Sequence, residues 1–395
     1  MTHCKIKLIS NKILINDAII VMKKSISDIV VKNIAYQYLD DGRTGSTFKQ
    51  LLILLKDFFV ISQSLRKCSV DKDLIIMTDT DAAGILGYIN TICSCSRLQI
   101  STIIINKKKT WSVITLMRFI IWLACQIGAA SPFKWKLWWS FRKNPLPLIN
   151  AFTGKYFQAN NNIYFNIFND RRCIVFYEKS ILSMIGYLYG QRFEVIQHGN
   201  PTNTYWPSVA NIYYSWSMGY KEQIKKNYSG EVRICGYPGT ASSPAQFKAA
   251  KFDILFLSQY GSSPELIDEC YQVKQYINKL AARGFRIVVK LHPRECQDNL
   301  VFASGVVIAG KMESLEDLFC ISTSVCSYYS TALLLAARRE CSVFRVSVGS
   351  KIIEDNFPFL SEIPFVNTVD SLVNPLSVAK KIKTDIMDFD CHVLE

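Results

Sequence analysis

The sequence predicts a protein of two doubly wound α/β domains. In both halves of the chain, short apolar runs typical of buried parallel strands alternate with longer helical segments. A turn-rich stretch of small residues, Gly236 to Ala250, separates the two series. The length of 395 residues also suits two domains of ordinary size. We therefore predict an N-terminal domain over 1–240, a linker over 241–251 and a C-terminal domain over 252–395.

The first half reads as successive strand–helix units. Short apolar runs within 1–39 can form strands, and the glycine-punctuated turn that begins at Asp40-Asp41-Gly42 leads into a helical segment. The predicted helices of this half are 48–65, 82–93 and 180–189. Its later predicted strands are 73–77, 98–105, 172–177, 193–197, 211–216 and 231–236.

The second half repeats the alternation with different spacing. Its predicted helices are 264–283 and 315–319, and a strand, a turn of small hydroxyl residues and a helix are predicted over 324–337. The other predicted strands are 253–258, 285–291, 306–309 and 343–348.

Composition and charge indicate which kinds of molecule the protein binds. A hydrophobic fraction of 49% excludes a disordered chain, and the net charge of +14 favours anionic partners. Such partners are phosphorylated substrates, an anionic membrane or nucleic acid. No Lys/Arg-rich run accompanies a nucleic-acid-binding motif, so we predict no nucleic-acid partner.

The cysteines indicate a reducing compartment. There are 13, an odd number, without the spacing of a disulfide framework. Cys93 and Cys95 form a close pair, but no histidine lies near them in sequence, so a zinc site is not predicted. The N-terminus lacks the pattern of a signal peptide, and we expect a cytoplasmic protein.

The stretch from Trp111 to Lys143 has three interpretations. Trp111 to Ala130 is the most apolar part of the chain, and Ser131 to Lys143 mixes tryptophan with lysine and arginine. A core helix followed by a surface loop explains it, as does a transmembrane span. Peripheral attachment to the anionic inner leaflet of the membrane also explains it and agrees with the positive charge.

The run Arg286 to Leu291 is a predicted strand that must end at His292-Pro293, because proline cannot continue a central strand. The strand end carries Lys290, His292, Arg294 and Glu295 to the carboxyl edge of the sheet, where α/β proteins bind ligands. Cations there can neutralise phosphates. Glu295 either contacts a ribose or base hydroxyl or faces solvent.

Hydroxyl residues form the second part of this predicted site. Ser327 ends a predicted strand, and Ser330 and Thr331 lie where the next helix begins. Hydroxyls and unpaired backbone N–H groups at a helix N-terminus bind phosphate, although the same residues also serve as a plain helix cap. Together with the His-Pro strand end they predict a diphosphate or nucleotide site.

His198 closes a predicted strand in the first half, as His292 does in the second. Only four histidines occur in the chain, and the other two lie near its ends. A histidine in such a place is either a turn residue or a functional one. If the two strand edges face each other across a cleft, His198 is a candidate general base, since histidine titrates near neutral pH.

These motifs resemble those of bacterial surface-polysaccharide glycosyltransferases of the GT-B type. The resemblance rests on Ile254 to Gln259, Lys290 to Glu295 and Tyr329 to Leu333, and includes the sialyltransferase and polysialyltransferase group. It implies two Rossmann-like domains facing a central cleft. It also implies that His292, Ser330 and Thr331 bind the phosphate and ribose of a CMP-sugar donor. An acidic Asp/Glu-Asp-Gly motif supplies the base in that group, which makes Asp41 a second candidate base.

A second resemblance concerns His198-Gly199-Asn200-Pro201. It is similar to the His-Gly-Thr-Pro motif of teichoic-acid glycerophosphate transferases, which are GT-B enzymes that use CDP-glycerol, and Asn200 departs from that pattern. The resemblance implies that His198 is the base. It keeps a CDP-polyol phosphotransferase as an alternative function.

We therefore expect an inverting glycosyltransferase that moves a sugar from a nucleotide-sugar onto a hydroxyl of a growing surface glycan, such as O-antigen or capsule. No cofactor is expected besides the donor substrate. No metal is expected either: Asp79 and Asp81 match a metal-binding DxD pattern, but an acidic helix cap explains them. A non-catalytic scaffold at the membrane surface is the remaining alternative.

Overall fold

The computed structural model describes a defined part of the 395-residue chain. It covers 57–78, 83–105, 161–199, 208–239, 249–259, 264–310, 313–350, 353, 363–368 and 373–395, without 58, 62, 69, 177, 179, 293–294 and 296–301. The expectations for 1–39, Asp41, Asp79, Asp81, 111–143 and Arg294 lie outside the described residues.

Two parallel six-stranded sheets form the framework of this part of the chain. Strands β1 to β6 build the first sheet: Leu74–Thr78, Ile100–Ile104, Arg172–Val175, Arg192–Ile196, Ile212–Ser215 and Glu231–Ile234. Strands β7 to β12 build the second sheet: Phe252–Leu257, Ile287–Lys290, Val306–Ile308, Ser322–Ser327, Ser342–Ser347 and Phe365–Asn367. The alternation of strand and helix that predicted an α/β fold is confirmed.

Helices connect the strands in both halves. We label them α1 to α7: Ala83–Cys95, Ile181–Tyr189, Met218–Lys225, Pro264–Ala282, Leu315–Cys320, Ala332–Arg338 and Pro375–Val378. Residues 161–168 are also helical, and a short 3-10 helix, Cys391–Leu394, ends the chain. Serine caps three of these helices: Ser180, Ser217 and Ser314 each accept a hydrogen bond from the backbone N–H three residues later.

The second sheet has the strand order of a doubly wound dinucleotide-binding fold. Its order is β12-β11-β10-β7-β8-β9, so the chain builds outward from β7 in one direction and from β10 in the other. The point where the direction reverses lies between β7 and β10, and such folds bind ligands in the crevice beyond that point. This order confirms a Rossmann-like second half.

The first sheet has the order β2-β1-β3-β4-β5-β6 and reverses direction between β1 and β3. Its central strands are buried on both faces, as the apolar runs predicted: every residue of β1 is buried, and Ile75 and Ile76 are fully so. A separate buried cluster surrounds the second sheet and is built on β7, α4, β10 and β11.

The C-terminal segment 386–394 returns to the first sheet. The backbone N–H of Met387 donates to the carbonyl of Trp216 at 3.2 Å, and that of Asp390 donates to Cys235 at 2.8 Å. Leu394 is fully buried in a cluster with β1, β3 and α1. The domain limits of 1–240 and 252–395 stay a prediction, since much of the first half lies outside the described residues.

Among the described helices, none is both long and apolar enough to cross a membrane.

Candidate functional site

The strongest candidate site lies at the carboxyl edge of the second sheet. Strands β7, β8 and β10 end there side by side, because β7 pairs with both of the others in parallel. The ends carry Ser258, the Lys290–His292 turn and the Ser327–Thr331 turn. The structure therefore brings the two predicted motifs to the edge on which the sheet reverses direction.

Glu295 fixes the His292 turn from inside the protein. Its carboxylate accepts hydrogen bonds from the backbone N–H of His292 at 2.8 Å and from the Ser258 hydroxyl at 2.9 Å. The Lys274 ammonium contacts the same carboxylate at 2.6 Å, and the Glu295 side chain is only 6% exposed. The interpretation of Glu295 as a solvent-facing residue is therefore wrong.

Lys290 reaches across the same edge to the loop that follows β9. Its ammonium donates to the carbonyls of Gly310 at 2.9 Å and Glu313 at 2.6 Å. Burial lowers the pKa of Lys290, and the charge of Glu313 acts in the opposite direction. Lys290 thus brings a positive charge to the edge while it anchors a neighbouring loop.

The three predicted hydroxyl residues have different environments. Ser327 is fully buried, and its hydroxyl donates to the Leu257 carbonyl of β7 at 2.6 Å. Ser330 accepts a hydrogen bond from the backbone N–H of Ala332 at 3.2 Å and so caps the first turn of α6. Thr331 has helical backbone angles, and its side chain makes no capping hydrogen bond. Ser327 therefore links two strands, whereas Ser330 and Thr331 lie at the turn.

Helix α4 supports both turns with polar side chains that the sequence did not single out. Besides the Lys274 contact to Glu295, Glu269 accepts a hydrogen bond from the Tyr328 hydroxyl at 2.7 Å. The Tyr329 hydroxyl and the Cys270 thiol also share a hydrogen bond, and burial raises the pKa of both. The available signal was spacing, because Cys270 and Lys274 lie four residues apart and so share one face of the helix.

His198 lies at the carboxyl edge of the first sheet, two residues after the end of β4. Its imidazole hydrogen-bonds with the backbone of Phe176, which follows the neighbouring strand β3. Burial lowers the pKa of His198 to about 4, and the bond to Phe176 only partly offsets it. The Nδ1 atom is fully buried. His198 is therefore neutral at pH 7, the form that accepts a proton.

Glu178 is an acidic residue near His198 in the chain that sequence reasoning missed. Its carboxylate accepts hydrogen bonds from the Ser208 hydroxyl at 2.7 Å and the Val209 backbone N–H at 3.1 Å. These contacts hold the segment that precedes β5 against the end of β3. Over the described residues, no group of three or more His, Cys, Asp or Glu side chains is arranged to hold a metal ion.

Together, the two Rossmann-like sheets have the GT-B architecture that the sequence predicted. A family model described as alpha-2,8-polysialyltransferase matches residues 153–338, somewhat less than half of the chain. The match confirms the sialyltransferase-like resemblance and the prediction of a glycosyltransferase. The matched region includes His198, His292 and the Ser330-Thr331 turn, whereas Asp41 lies outside it.

Solved structures with low sequence identity have similar folds. UDP-GlcNAc 2-epimerase from Methanocaldococcus jannaschii, in complex with UDP-GlcNAc and UDP, is 11% identical with a TM-score of 0.47, over 79% of this chain and 94% of that one. The wall teichoic acid polymerase TagF is 10% identical with a TM-score of 0.43, over 86% of each chain. No curated protein sequence matches this chain.

Proposed function

We propose that this protein transfers a sialic-acid-type sugar from a CMP-linked donor to a hydroxyl group of a growing surface glycan. The observation that carries the proposal is the polysialyltransferase match, because it spans the first-sheet edge with His198 and the second-sheet edge with His292. The position of His292 and Ser330-Thr331 beyond a sheet-reversal point supports a nucleotide at that edge.

The second sheet provides the donor half of the proposed site. His292, Ser330 and Thr331 bind the phosphate and ribose, and the charges of Lys290 and Arg294 stabilise the phosphate as it departs with CMP. Glu295 and Lys274 act as positioning residues under this proposal, because their contacts hold the backbone of the His292 turn. Ser327 is left out, since it already donates its hydroxyl proton to Leu257.

The first sheet provides the acceptor half. The acceptor hydroxyl oxygen attacks the anomeric carbon, the bond from that carbon to the phosphate oxygen breaks, and CMP leaves with the electron pair. His198 takes the hydroxyl proton, for which its neutral form is needed. A single displacement of this kind inverts the anomeric configuration. Asp41 remains the alternative base.

A transfer assay with purified full-length protein tests the proposal. A fluorescent oligosialic acid acceptor is incubated with CMP-, UDP- and CDP-linked sugars, and chain extension is measured. We expect extension only with CMP-sialic acid, loss of extension in His292→Ala, and retention in Lys72→Ala, which alters an ion pair with Asp71 remote from both edges. Extension with another donor, or none with any donor, would contradict the proposal.

A CDP-polyol phosphotransferase is the second candidate. The observation that favours it is the His198-Gly199 turn at a strand end, as in the teichoic-acid resemblance. Incubation with CDP-glycerol separates the two functions, because release of CMP with transfer of glycerol phosphate supports the second candidate alone.

We also propose that the protein works at the cytoplasmic face of the inner membrane, on a lipid-linked or capsular glycan. The net charge of +14 supports attraction to anionic lipid. Sedimentation with vesicles tests this, and we expect binding to vesicles that contain phosphatidylglycerol and none to pure phosphatidylcholine. Equal binding to both, or to neither, would contradict it.

A further inference from the structure

Gln197 is a fully buried amide directly before His198, and its side chain is hydrogen-bonded at both ends. The amide nitrogen donates to the carbonyl of Gly199 at 2.9 Å. The amide oxygen accepts from the backbone N–H of Trp216 at 3.0 Å. One side chain therefore connects the residue after His198 with the chain that follows the next strand, β5.

The backbone of Gln197 is held as firmly as its side chain. Its N–H donates to Tyr214 of β5 at 2.9 Å. Its carbonyl accepts from the indole N–H of Trp216 at 2.7 Å. The backbone is thus fixed immediately before and immediately after His198. This restricts the direction in which the imidazole leaves the backbone.

Trp216 ties this arrangement to the rest of the molecule. It is 1% exposed, and its ring packs edge-to-face on Tyr237 with the ring centroids 4.9 Å apart. Its carbonyl receives the backbone N–H of Met387 from the returning C-terminal segment. The indole cannot move without disturbing these contacts, so it is a rigid support for Gln197.

We propose that Gln197 is a positioning residue for the transfer reaction, which together with Trp216 fixes the direction in which His198 meets the acceptor hydroxyl. The inference rests on the proposed function in assigning the base to His198. Strand ends β3, β4 and β5 all take part, through Phe176, Gln197 and Trp216. The role concerns the placement of the His198 imidazole relative to the acceptor hydroxyl. Misplacing a catalytic group by about 1 Å lowers the rate up to about 100-fold.

Glutamine is the side chain that this position requires. It offers a donor to Gly199 and an acceptor to Trp216 in one planar group. Methionine has a similar length but neither function, and glutamate keeps the acceptor while losing the donor. Glutamate also adds a negative charge in a buried place next to His198, which favours the protonated imidazole.

Three variants of the full-length protein test the proposal: Gln197→Met, Gln197→Glu and Trp216→Phe. Tyr228→Phe is the matched control, since it removes a hydroxyl bond to the carbonyl of Ala210 and none of the Gln197 or Trp216 hydrogen bonds. We expect kcat to fall about 10- to 100-fold in each test variant while KM for the CMP-linked donor changes less than about twofold. The control should stay within about twofold of the unaltered protein in both.

A second readout does not depend on turnover. With only four histidines in the chain, the His198 imidazole can be followed by NMR in histidine-labelled protein and assigned with His198→Asn. We expect its titration midpoint to rise in Gln197→Glu and its chemical shift at pH 7 to change in Gln197→Met and Trp216→Phe. Tyr228→Phe should leave both unchanged.

The outcomes separate the inference from the proposed function. If His198→Asn abolishes transfer while all three test variants keep kcat and the His198 signal, the positioning role is wrong and the base assignment stands. If His198→Asn transfers the sugar normally, the base assignment is wrong. In that case the NMR signal of the His198 imidazole still tests the positioning role, which is refuted if the signal is unchanged in the three test variants. Should Gln197→Met fail to fold, Trp216→Phe decides by the same readouts.

Discussion

At the scale of single residues, the two candidate histidines have different electrostatic surroundings. His198 is held neutral by burial, whereas the His292 turn is organised around the buried Glu295–Lys274 ion pair. A neutral His198 agrees with its proposed role as the base, and a positively charged edge of the second sheet agrees with its proposed role in binding the donor. Each environment gives a measurable consequence.

The lowered pKa of His198 predicts a loss of stability in acid. The unfolded imidazole binds a proton near pH 6.5, whereas the folded one does so only near pH 4, so the free energy of unfolding falls as the pH drops through this window. The loss is at most about 3 kcal/mol. Urea unfolding of unaltered protein and His198→Asn at pH 7 and 4.5 measures it, with His392→Asn as an exposed control. Parallel losses in His198→Asn and unaltered protein would contradict the assignment.

Replacement of Glu295 by glutamine tests the scaffold of the donor turn. The change removes the charge that pairs with Lys274, and we expect the free energy of unfolding to fall by about 2 kcal/mol. We also expect weaker CMP binding, because the amide has one accepting oxygen where the carboxylate uses two, one for the His292 backbone and one for Ser258 and Lys274. Glu231→Gln is the control: its ion pair with Arg233 is exposed, and a change of less than about 1 kcal/mol is expected. Equal effects of the two variants would refute the scaffold role.

At the scale of elements, the apolar strands were predictable and the polar interior was not. Ile254, Leu255 and Phe256 form a continuous buried run in β7, which is the signature of a parallel strand with both faces covered. Strand β12 was missed because it is a three-residue edge strand. Helix α3 was missed because it follows β5 with only Trp216 and its cap Ser217 between them. Sequence pattern carries no information on whether Ser327 points to a ligand or to a neighbouring strand.

The strand-end hydroxyls give a prediction at this scale. Ser327→Ala leaves the buried Leu257 carbonyl without its donor, so we expect a stability loss of about 1 kcal/mol and an unchanged KM for donor. Thr331→Val should do the opposite, with stability preserved and donor KM raised about tenfold. Thermal unfolding and donor kinetics of the two variants measure this contrast. A raised donor KM in Ser327→Ala would restore that residue to the donor set.

At the scale of the whole molecule, the two halves are joined by the chain connection near residue 240 and also by contacts of the C-terminal segment with the first sheet. The C-terminal segment is held by Arg172, which donates to the Leu394 carbonyl at 2.8 Å and to the fully buried Glu194 at 3.0 Å. The backbone N–H of Gly219 donates to the Asp385 carboxylate at 2.7 Å. Such contacts between residues distant in sequence cannot be read from local pattern, which explains why the return of the chain was not foreseen.

Arg172→Met tests the attachment of the C-terminal segment. Without the guanidinium, Glu194 loses a buried partner and Leu394 loses its donor, so backbone amides over 386–394 should exchange hydrogen faster. We expect at least about tenfold faster exchange there and unchanged protection in β7 and β10. Arg233→Met, whose partner Glu231 is exposed, serves as the control. Uniformly faster exchange over the whole protein would indicate general destabilisation instead.

We propose that the carboxyl edge of the second sheet binds the nucleotide of the donor. Calorimetric titration of CMP into the full-length protein measures this binding without an acceptor or turnover. We expect saturable binding with one site per chain, weakened about tenfold or more in His292→Ala and unaffected in His198→Asn. CMP binding that is absent from the unaltered protein, or equally tight in His292→Ala, would contradict the claim.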